Sequence, residues 1–591
     1  MPRLSLLAFT VVFTIPTALA IPFWGQCAGV GGTNSATVCD AGSTCVAQSP
    51  NYSQCVPNTI DSEPDTDPSL KLNASLVIRQ SSTFPNPPFW EDFADNDVTR
   101  VGDVFYFSSS SMHYSPGAPI LRSYDLVNWE WVGHSVPRLD FGSDDYNLPP
   151  GRQAYIQGVW ASAMKYRKST DTWYWIGCVD FSKTYIYTSK STASGPWTKA
   201  ATLNKCYYDV GLLIDDDDTM YVCYGQNNIQ VAQLTADGLG EVRNQVVWST
   251  DIDYIEGSRI YKRNGVYYIL ITKPNYQTHM LKSSGNVWGP YTRRPLSTIS
   301  SPIIGGSGPH QGSLVDTQNG LYFSFDDSLL DDCPFLCTSQ VIGITWVSLT
   351  LTPITWSSDG WPSLVLVNSA WGQSYPYPLT PHLMPEHTGI RTFSGSSLAP
   401  EWEWNHNPDN NNWSIGSTGL ILKTASVTDD LYAARNTLTH RIIGPKSSGT
   451  IRLDLSSMAD GDRAGLAMLR DNSAYIAVKR SGNTKTVVMV NGLAMKDADW
   501  STTNKGSEVA SASFSGNEIW LRAQGDMQPT GNKQATFYWS SNGSQWNALG
   551  PAFTMNTNWT FFFGYRFGIF NFATRALGGS VVLKSFEMQK I

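Results

Sequence analysis

Positive charge is scarce in this 591-residue sequence. Lys and Arg number 41 against 49 Asp and Glu, a net charge of −8, and only 15% of residues are charged at all. A nucleic-acid partner needs a basic face, so that class is set aside. Long apolar runs are also missing beyond the first twenty residues, which excludes a membrane-spanning helix and any membrane partner through one. Low charge combined with 41% hydrophobic residues excludes a disordered chain. At this length more than one core is expected. Aromatic residues, by contrast, are abundant: 12% of the chain, including 22 Trp and 27 Tyr. Flat rings stack on the C–H faces of sugars, and they also fill the cores of all-β proteins; composition leaves both readings open.

Residues 1–20 read as a secretory signal, with Arg3 at the positive start, Leu6 to Ile15 as the apolar stretch and Ala18-Leu19-Ala20 as the cleavage site. The expectation is a secreted, extracellular protein. Five Asn-x-Ser/Thr sequons, at Asn51, Asn73, Asn412, Asn542 and Asn558, fit that compartment. Four of the nine cysteines (Cys27, Cys39, Cys45, Cys55) crowd into one Gly-rich stretch without helical periodicity. A segment that small holds a fold only through disulfides, so residues 21–56 are read as a stapled module. The odd cysteine total leaves at least one thiol unpaired, and Cys223, in an apolar strand, is the candidate. Residues 57–84 are acidic, contain Pro and read as a linker.

From 85 to 390 a turn followed by an aromatic strand recurs five times, with Tyr at 106, 174, 221, 267 and 322. A repeat of roughly 40–50 residues containing several short strands predicts the blades of a five-bladed β-propeller, in preference to a sandwich with repeated hairpins. Residues 391–591 lose the repeat and become strands with polar turns, which predicts a β-sandwich. The fold class is therefore all-β.

The repeat also organises the acids. Asp95 precedes its repeat Tyr by 11 residues, Asp209 by 12, Glu256 by 11, His310 by 12 and Trp160 by 14. Similar offsets place these five residues at similar heights around one axis. Glycoside hydrolysis uses such a set: one carboxylic acid protonates the leaving oxygen and one carboxylate acts on water or on the anomeric carbon. A third carboxylate can hold the acid protonated through its negative charge, and Trp160 can stack on the bound sugar. An isolated Asp or Glu-Gly is an ordinary turn, as Asp215 to Asp218 are read here; it is the shared offset that singles out these positions.

The strings around them resemble glycoside hydrolase family 43, the inverting five-bladed propeller enzymes. They are Phe93-Ala-Asp-Asn-Asp-Val-Thr-Arg, Val159-Trp-Ala, Tyr208-Asp-Val-Gly-Leu-Leu-Ile, Ile255-Glu-Gly-Ser and Pro309-His-Gln-Gly. The resemblance implies Asp95 as general base, Glu256 as general acid, Asp209 as the residue that raises and orients the acid, and Trp160 and His310 as substrate-binding residues. It also implies His310 as the channel residue associated with calcium; the chemistry itself needs no cofactor. Asp97 lies two residues beyond Asp95, on the same face of an extended strand, so strand period leaves both open as base; the family string favours Asp95. The C-terminal strings Pro400-Glu-Trp-Glu-Trp-Asn-His-Asn-Pro-Asp and Phe567-Gly-Ile-Phe-Asn-Phe-Ala-Thr-Arg resemble that family's partner domain. Together they imply a monomeric α-L-arabinofuranosidase or β-xylosidase acting on arabinoxylan, the alternative being a carbohydrate-binding propeller without turnover.

One stretch departs from the family pattern. Where relatives carry an Arg that contacts the sugar, residues 326–351 hold an acidic and then an apolar run, and no Arg lies between Arg294 and Arg391. The N-terminal strings Trp24-Gly-Gln-Cys and Tyr52-Ser-Gln-Cys resemble the fungal-type cellulose-binding module of family 1. That resemblance implies pairs Cys27–Cys45 and Cys39–Cys55, and cellulose contact through Trp24, Tyr52 and Gln54, with Asn51 where a middle aromatic is expected.

Overall fold

The computed structural model describes residues 26–29, 43–49, 52–57 and 82–591, apart from 250, 275, 284, 298–308, 330–346 and 529–530. Two compact units divide the chain: residues 1–80 together with 355–360, and the remainder. In the first, Gln26–Gly29, Ser43–Ser49 and Tyr52–Pro57 form an antiparallel sheet with Tyr52–Pro57 in the centre, and Cys45 is disulfide-bonded. The pairings expected for Cys27, Cys39 and Cys55, and the side chains of Trp24, Tyr52 and Gln54, lie outside the described residues.

The second unit opens with five four-stranded antiparallel sheets in chain order. Their first strands are Asp97–Val101, Val159–Arg167, Gly211–Ile214, Glu256–Arg263 and Pro309–Asp316. Each touches the first strands of the two neighbouring sheets, the fifth returning to the first. That closed ring is the inner wall of a five-bladed propeller. Every repeat Tyr lies on the second strand of its blade. The recurring turn therefore joins the first two strands. In blades one and four it has two residues, since Val101 faces Val104 and Arg263 faces Val266. Such turns require positive φ, and Gly102, Asp171, Asp218, Asn264 and Gly320 supply it, at 63°, 48°, 69°, 51° and 74°. The Gly, Asp and Asn of the repeat are thus dictated by backbone geometry.

Aromatic and β-branched side chains fill the spaces between blades. Trp173, Trp175, Tyr185 and Tyr187 of the second blade pack on Ile120 and Val136 of the first. Ile176 and Ile186 pack on Leu212, Met220 and Val222 of the third. Each such burial stabilises by about 1.5–3 kcal/mol. Ring closure uses chain ends that are far apart in sequence: Thr83–Pro85 pairs with Ser374–Pro376, so a strand begins inside the stretch read as linker. Asn86 locks the closure, its side chain donating to the carbonyls of Leu351 and Gly372 and accepting from the Leu351 N–H, at 3.0–3.1 Å. Cys178 and Cys206 form a disulfide, and Cys223 is a buried free thiol.

Residues from 389 onward build two large sheets that enclose one apolar core, a β-sandwich. Its eight-stranded sheet ends on a strand of the propeller: Tyr114–Ser115 pairs with Glu403–Asn405. Backbone hydrogen bonds from His406 to His113 and from Asn407 to Tyr146 continue this seam. A shared core of Tyr114, Tyr155, Tyr432, Phe561 and Phe563 packs beneath it.

Candidate active site

The five residues singled out by their offsets come one from each blade, all at the start of the first strand. Trp160 and His310 are second in their strands, Glu256 is first, and Asp95 and Asp209 stand two residues ahead of theirs. His310 lies between two of the acids. Its Nδ1 is 3.7 Å from Asp95 Oδ1 and its Nε2 is 3.7 Å from Glu256 Oε2. One imidazole thus spans the gap across which these two carboxylates face each other.

Each acid is held by groups from another part of the chain. Ser110 Oγ donates to Asp95 Oδ2 at 2.5 Å. Gly257 N–H and Gln311 Nε2 donate to Asp209 Oδ2 at 3.0 and 2.7 Å. Tyr208 O–H donates to Glu256 Oε1 at 2.8 Å. Arg259 is buried behind the site, and its guanidinium donates to the carbonyls of Val210, Asp95 and Asn96. Backbone strain accompanies these contacts, since Asp95 and Asp209 have φ of 57° and 48°; residues held in such regions concentrate at functional sites. Gly257, with φ 69°, is required twice over: a Cβ there would stand 3.1 Å from Gln311, the donor to Asp209. At Gly211 a Cβ would meet Ser258 O at 2.6 Å, so the third and fourth inner strands approach this closely only with glycine.

Asp97 is committed elsewhere. Its carboxylate accepts from Lys165 Nζ at 2.9 and 3.0 Å and from Met164 N–H at 2.8 Å, tying the first blade to the second. The expectation that it shares a face with Asp95 does not hold. Asp95 precedes the strand and is left-handed, so the alternation of an extended strand does not relate the two side chains.

The proton balance differs from the expectation for the acid. Burial, then the negative charges of Glu256 and Asp95, push Asp209 up to about 8. Burial alone would raise Glu256 too, but the hydrogen bond and charge of His310 and the hydroxyl of Tyr208 hold it below the usual range. Of the two, Asp209 is thus the one whose hold on a proton its surroundings strengthen. A calcium ion takes six to eight oxygen ligands. Among the described residues no group of three or more His, Cys, Asp or Glu converges as a metal site, and both His310 nitrogens face the acids. A calcium ion is therefore not shown here, and no step below uses one.

Trp160 is half-buried and belongs to an aromatic line along the rim. Phe181 stacks on Tyr208 with centroids 5.9 Å apart, and Trp160 lies 5.5 Å from Phe181. Phe562 of the sandwich meets Trp160 edge-on at 5.0 Å, and Trp559 continues the line at 5.7 Å from Phe562. Phe181 and Trp559 are 60% and 45% exposed. Of these, sequence offsets identified only Trp160. Ser110, Tyr208 and Gln311 were also missed. The signals for them were a run of four serines, Ser108 to Ser111, directly after an apolar strand, and immediate adjacency to Asp209 and His310.

Comparison with known proteins matches this geometry. Residues 84–362 match the model of glycosyl hydrolases family 43, and residues 391–589 match the β-xylosidase C-terminal concanavalin A-like domain. One solved structure is 43% identical with a TM-score of 0.80, covering 86% of this chain and all of its own: a family 43 glycoside hydrolase whose engineered active site displays both endo-xylanase and exo-arabinofuranosidase activity. A β-xylosidase of Formosa agariphila is 24% identical over 84% of this chain and 89% of its own length. A non-reducing end α-L-arabinofuranosidase of Bacteroides ovatus is 25% identical over 73% and 82%. With both domains matched and a relative at that identity along most of its length, this chain belongs to glycosyl hydrolases family 43.

Proposed function

We propose that the protein removes terminal α-L-arabinofuranosyl or β-xylosyl units from arabinoxylan, with inversion at the anomeric carbon. The observation that carries this reading is the placement of His310 between Asp95 and Glu256. Inverting hydrolysis needs two carboxyl groups separated by about 6.5–9.5 Å, so that a water fits on one side of the sugar and the leaving oxygen on the other. An imidazole interposed between the two keeps them out of direct contact. Asp95, oriented by Ser110, takes the proton of the attacking water. Glu256 protonates the leaving oxygen. Asp209 is held by Gly257 and Gln311 and holds the proton that the acid–base pair needs; when sugar displaces water from the site, that proton passes to Glu256. The exposed aromatic line from Phe181 to Trp559 offers flat faces to the rest of the polysaccharide.

The names of the relatives support the substrate class, and they include both arabinose- and xylose-releasing enzymes. Secretion and a cellulose contact through residues 21–56 complete the proposal, supported by the N-terminal strings and the crowded cysteines. The test is wheat arabinoxylan treated with the protein and followed by proton NMR from the first minutes. Free arabinose or xylose in the inverted configuration is expected. A retained configuration would remove Asp95 as base, and no sugar release would leave a binding protein.

A further inference from the structure

A carboxylic acid can carry its proton on either oxygen, and only one of the two positions is useful to a leaving group. At Glu256 the two oxygens have different neighbours. Oε1 accepts from the Tyr208 hydroxyl at 2.8 Å. Oε2 faces His310 Nε2 at 3.7 Å, on the side of the gap toward Asp95. Tyr208 itself cannot readily ionise: burial, then the charges of Asp209 and Glu256, push its phenol far up. It therefore remains a hydroxyl donor throughout the working range, and its position is set independently by the Phe181 ring stacked on it at an angle of 28°.

We propose that Tyr208 is a positioning residue for the catalytic acid, holding Oε1 as a hydrogen-bond acceptor so that the proton of Glu256 sits on Oε2, toward the bound sugar. The idea rests on Glu256 being the acid. The groups that face Glu256 are His310 from the fifth blade, Asp95 from the first, and Asp209 and Tyr208 ahead of the third inner strand; Arg259, on Glu256's own strand, is turned to backbone carbonyls. Of these, the tyrosine can lose its donor while the site keeps its charge and its ring packing.

Tyr208→Phe keeps the ring and its stacking while removing the donor. On xylan-derived oligosaccharides, whose leaving group needs a proton, kcat should fall about ten- to a hundredfold, the worth of a hydrogen bond to a charged group, with KM little changed. On a 4-nitrophenyl glycoside, whose leaving group needs little protonation, the loss should be much smaller. Removing a donor to a carboxylate raises that carboxylate's pKa, so the alkaline limb of the kcat profile should move to higher pH even as the rate falls. A residue that merely fills space would lower both substrates alike and leave the limb in place; that result would overturn the proposal. 3-Fluorotyrosine at 208, which keeps the shape and is a stronger donor, should move the limb the opposite way. It provides the same test if the Phe variant fails to fold, and an unmoved limb there also overturns the proposal. Glu256→Gln measured on the same two substrates separates this idea from its foundation. If that variant loses both activities equally, Glu256 is not the acid. If it spares the aryl glycoside while Tyr208→Phe does not, only the role of Tyr208 fails.

Discussion

Buried carboxylates occur at the seam and at the propeller axis, in surroundings of opposite sign. At the seam between propeller and sandwich, Glu403 is fully buried and meets Arg441, Arg566 and His134. Burial alone would raise its pKa, yet the two guanidiniums and the imidazole hold it well below the usual range. At the propeller axis, Asp95 and Asp209 are buried and Glu256 is partly buried, and they crowd one another. Their partners include hydroxyls, amides and an imidazole, and Asp209 is driven up to about 8. The residue type is shared; the charge of the company decides between the two uses. Carboxylates with matched cations lock a structure. Carboxylates left with one another keep a proton and can give it away.

The sharpest way to break this comparison is to neutralise one acid in each cluster. Glu256→Gln should lower kcat on natural oligosaccharides by roughly 10²–10⁴-fold, the usual worth of general acid catalysis, and far less on an activated aryl glycoside. Its thermal melt should stay close to the parent's, because the acid faces one imidazole, which can give up its charge, rather than two permanently charged guanidiniums. A melt as damaged as that of the seam variant would erase the distinction.

Glu403→Gln should do the reverse. It leaves Arg441 and Arg566 buried without their counter-charge, a loss of about 3–5 kcal/mol. Denaturant unfolding should show the lower midpoint, while kcat below the transition is retained. If Glu403→Gln unfolds at the parent's midpoint, the seam is not held by this charge cluster.

The smallest effect concerns pH. Asp209 has a folded pKa of about 8 against an ordinary 3.8. Between those values the folded protein binds a proton that the unfolded chain does not. The stability this supplies is complete below about pH 4 and is lost as pH rises through about 8. Asp209→Asn removes that dependence, so the fall in melting temperature from pH 5 to pH 8 should shrink. The variant also leaves the shared proton to Glu256 alone, which His310 and Tyr208 hold low, so the alkaline limb of the activity profile should move down. An alkaline limb that moves up or stays in place would show that Asp209 does not share the acid's proton.

How far the site was legible depended on whether a residue's role was local. Asp95, Trp160, Asp209, Glu256 and His310 were readable because each stands at a similar distance, 11 to 14 residues, before the Tyr that follows a hairpin turn, and the turn needs Gly, Asp or Asn for its positive φ. The choice between Asp95 and Asp97 was not readable from strand period. It turns on a left-handed backbone at Asp95 and on Lys165 in the next blade. Ser110, Tyr208 and Gln311 escaped for a related reason: their meaning lies in an acid that another segment supplies. The sequence shows Asp209 close to Glu256 but not the imidazole that faces Glu256 more directly and lowers its pKa.

By itself, then, the sequence determined the all-β class, the five blades, the sandwich that follows them and the acids and histidine that stand at the start of the inner strands. These are written in turn chemistry and period, which act over a few residues. Only the tertiary structure decided that Asp97 binds a lysine while Asp95 faces a histidine, that burial and neighbouring acids raise Asp209 while an imidazole and a phenol lower Glu256, and that a sandwich phenylalanine completes the rim. Those outcomes depend on which charges and rings meet across blades and domains, and in a buried site of low polarizability such neighbours outweigh anything the chain specifies locally.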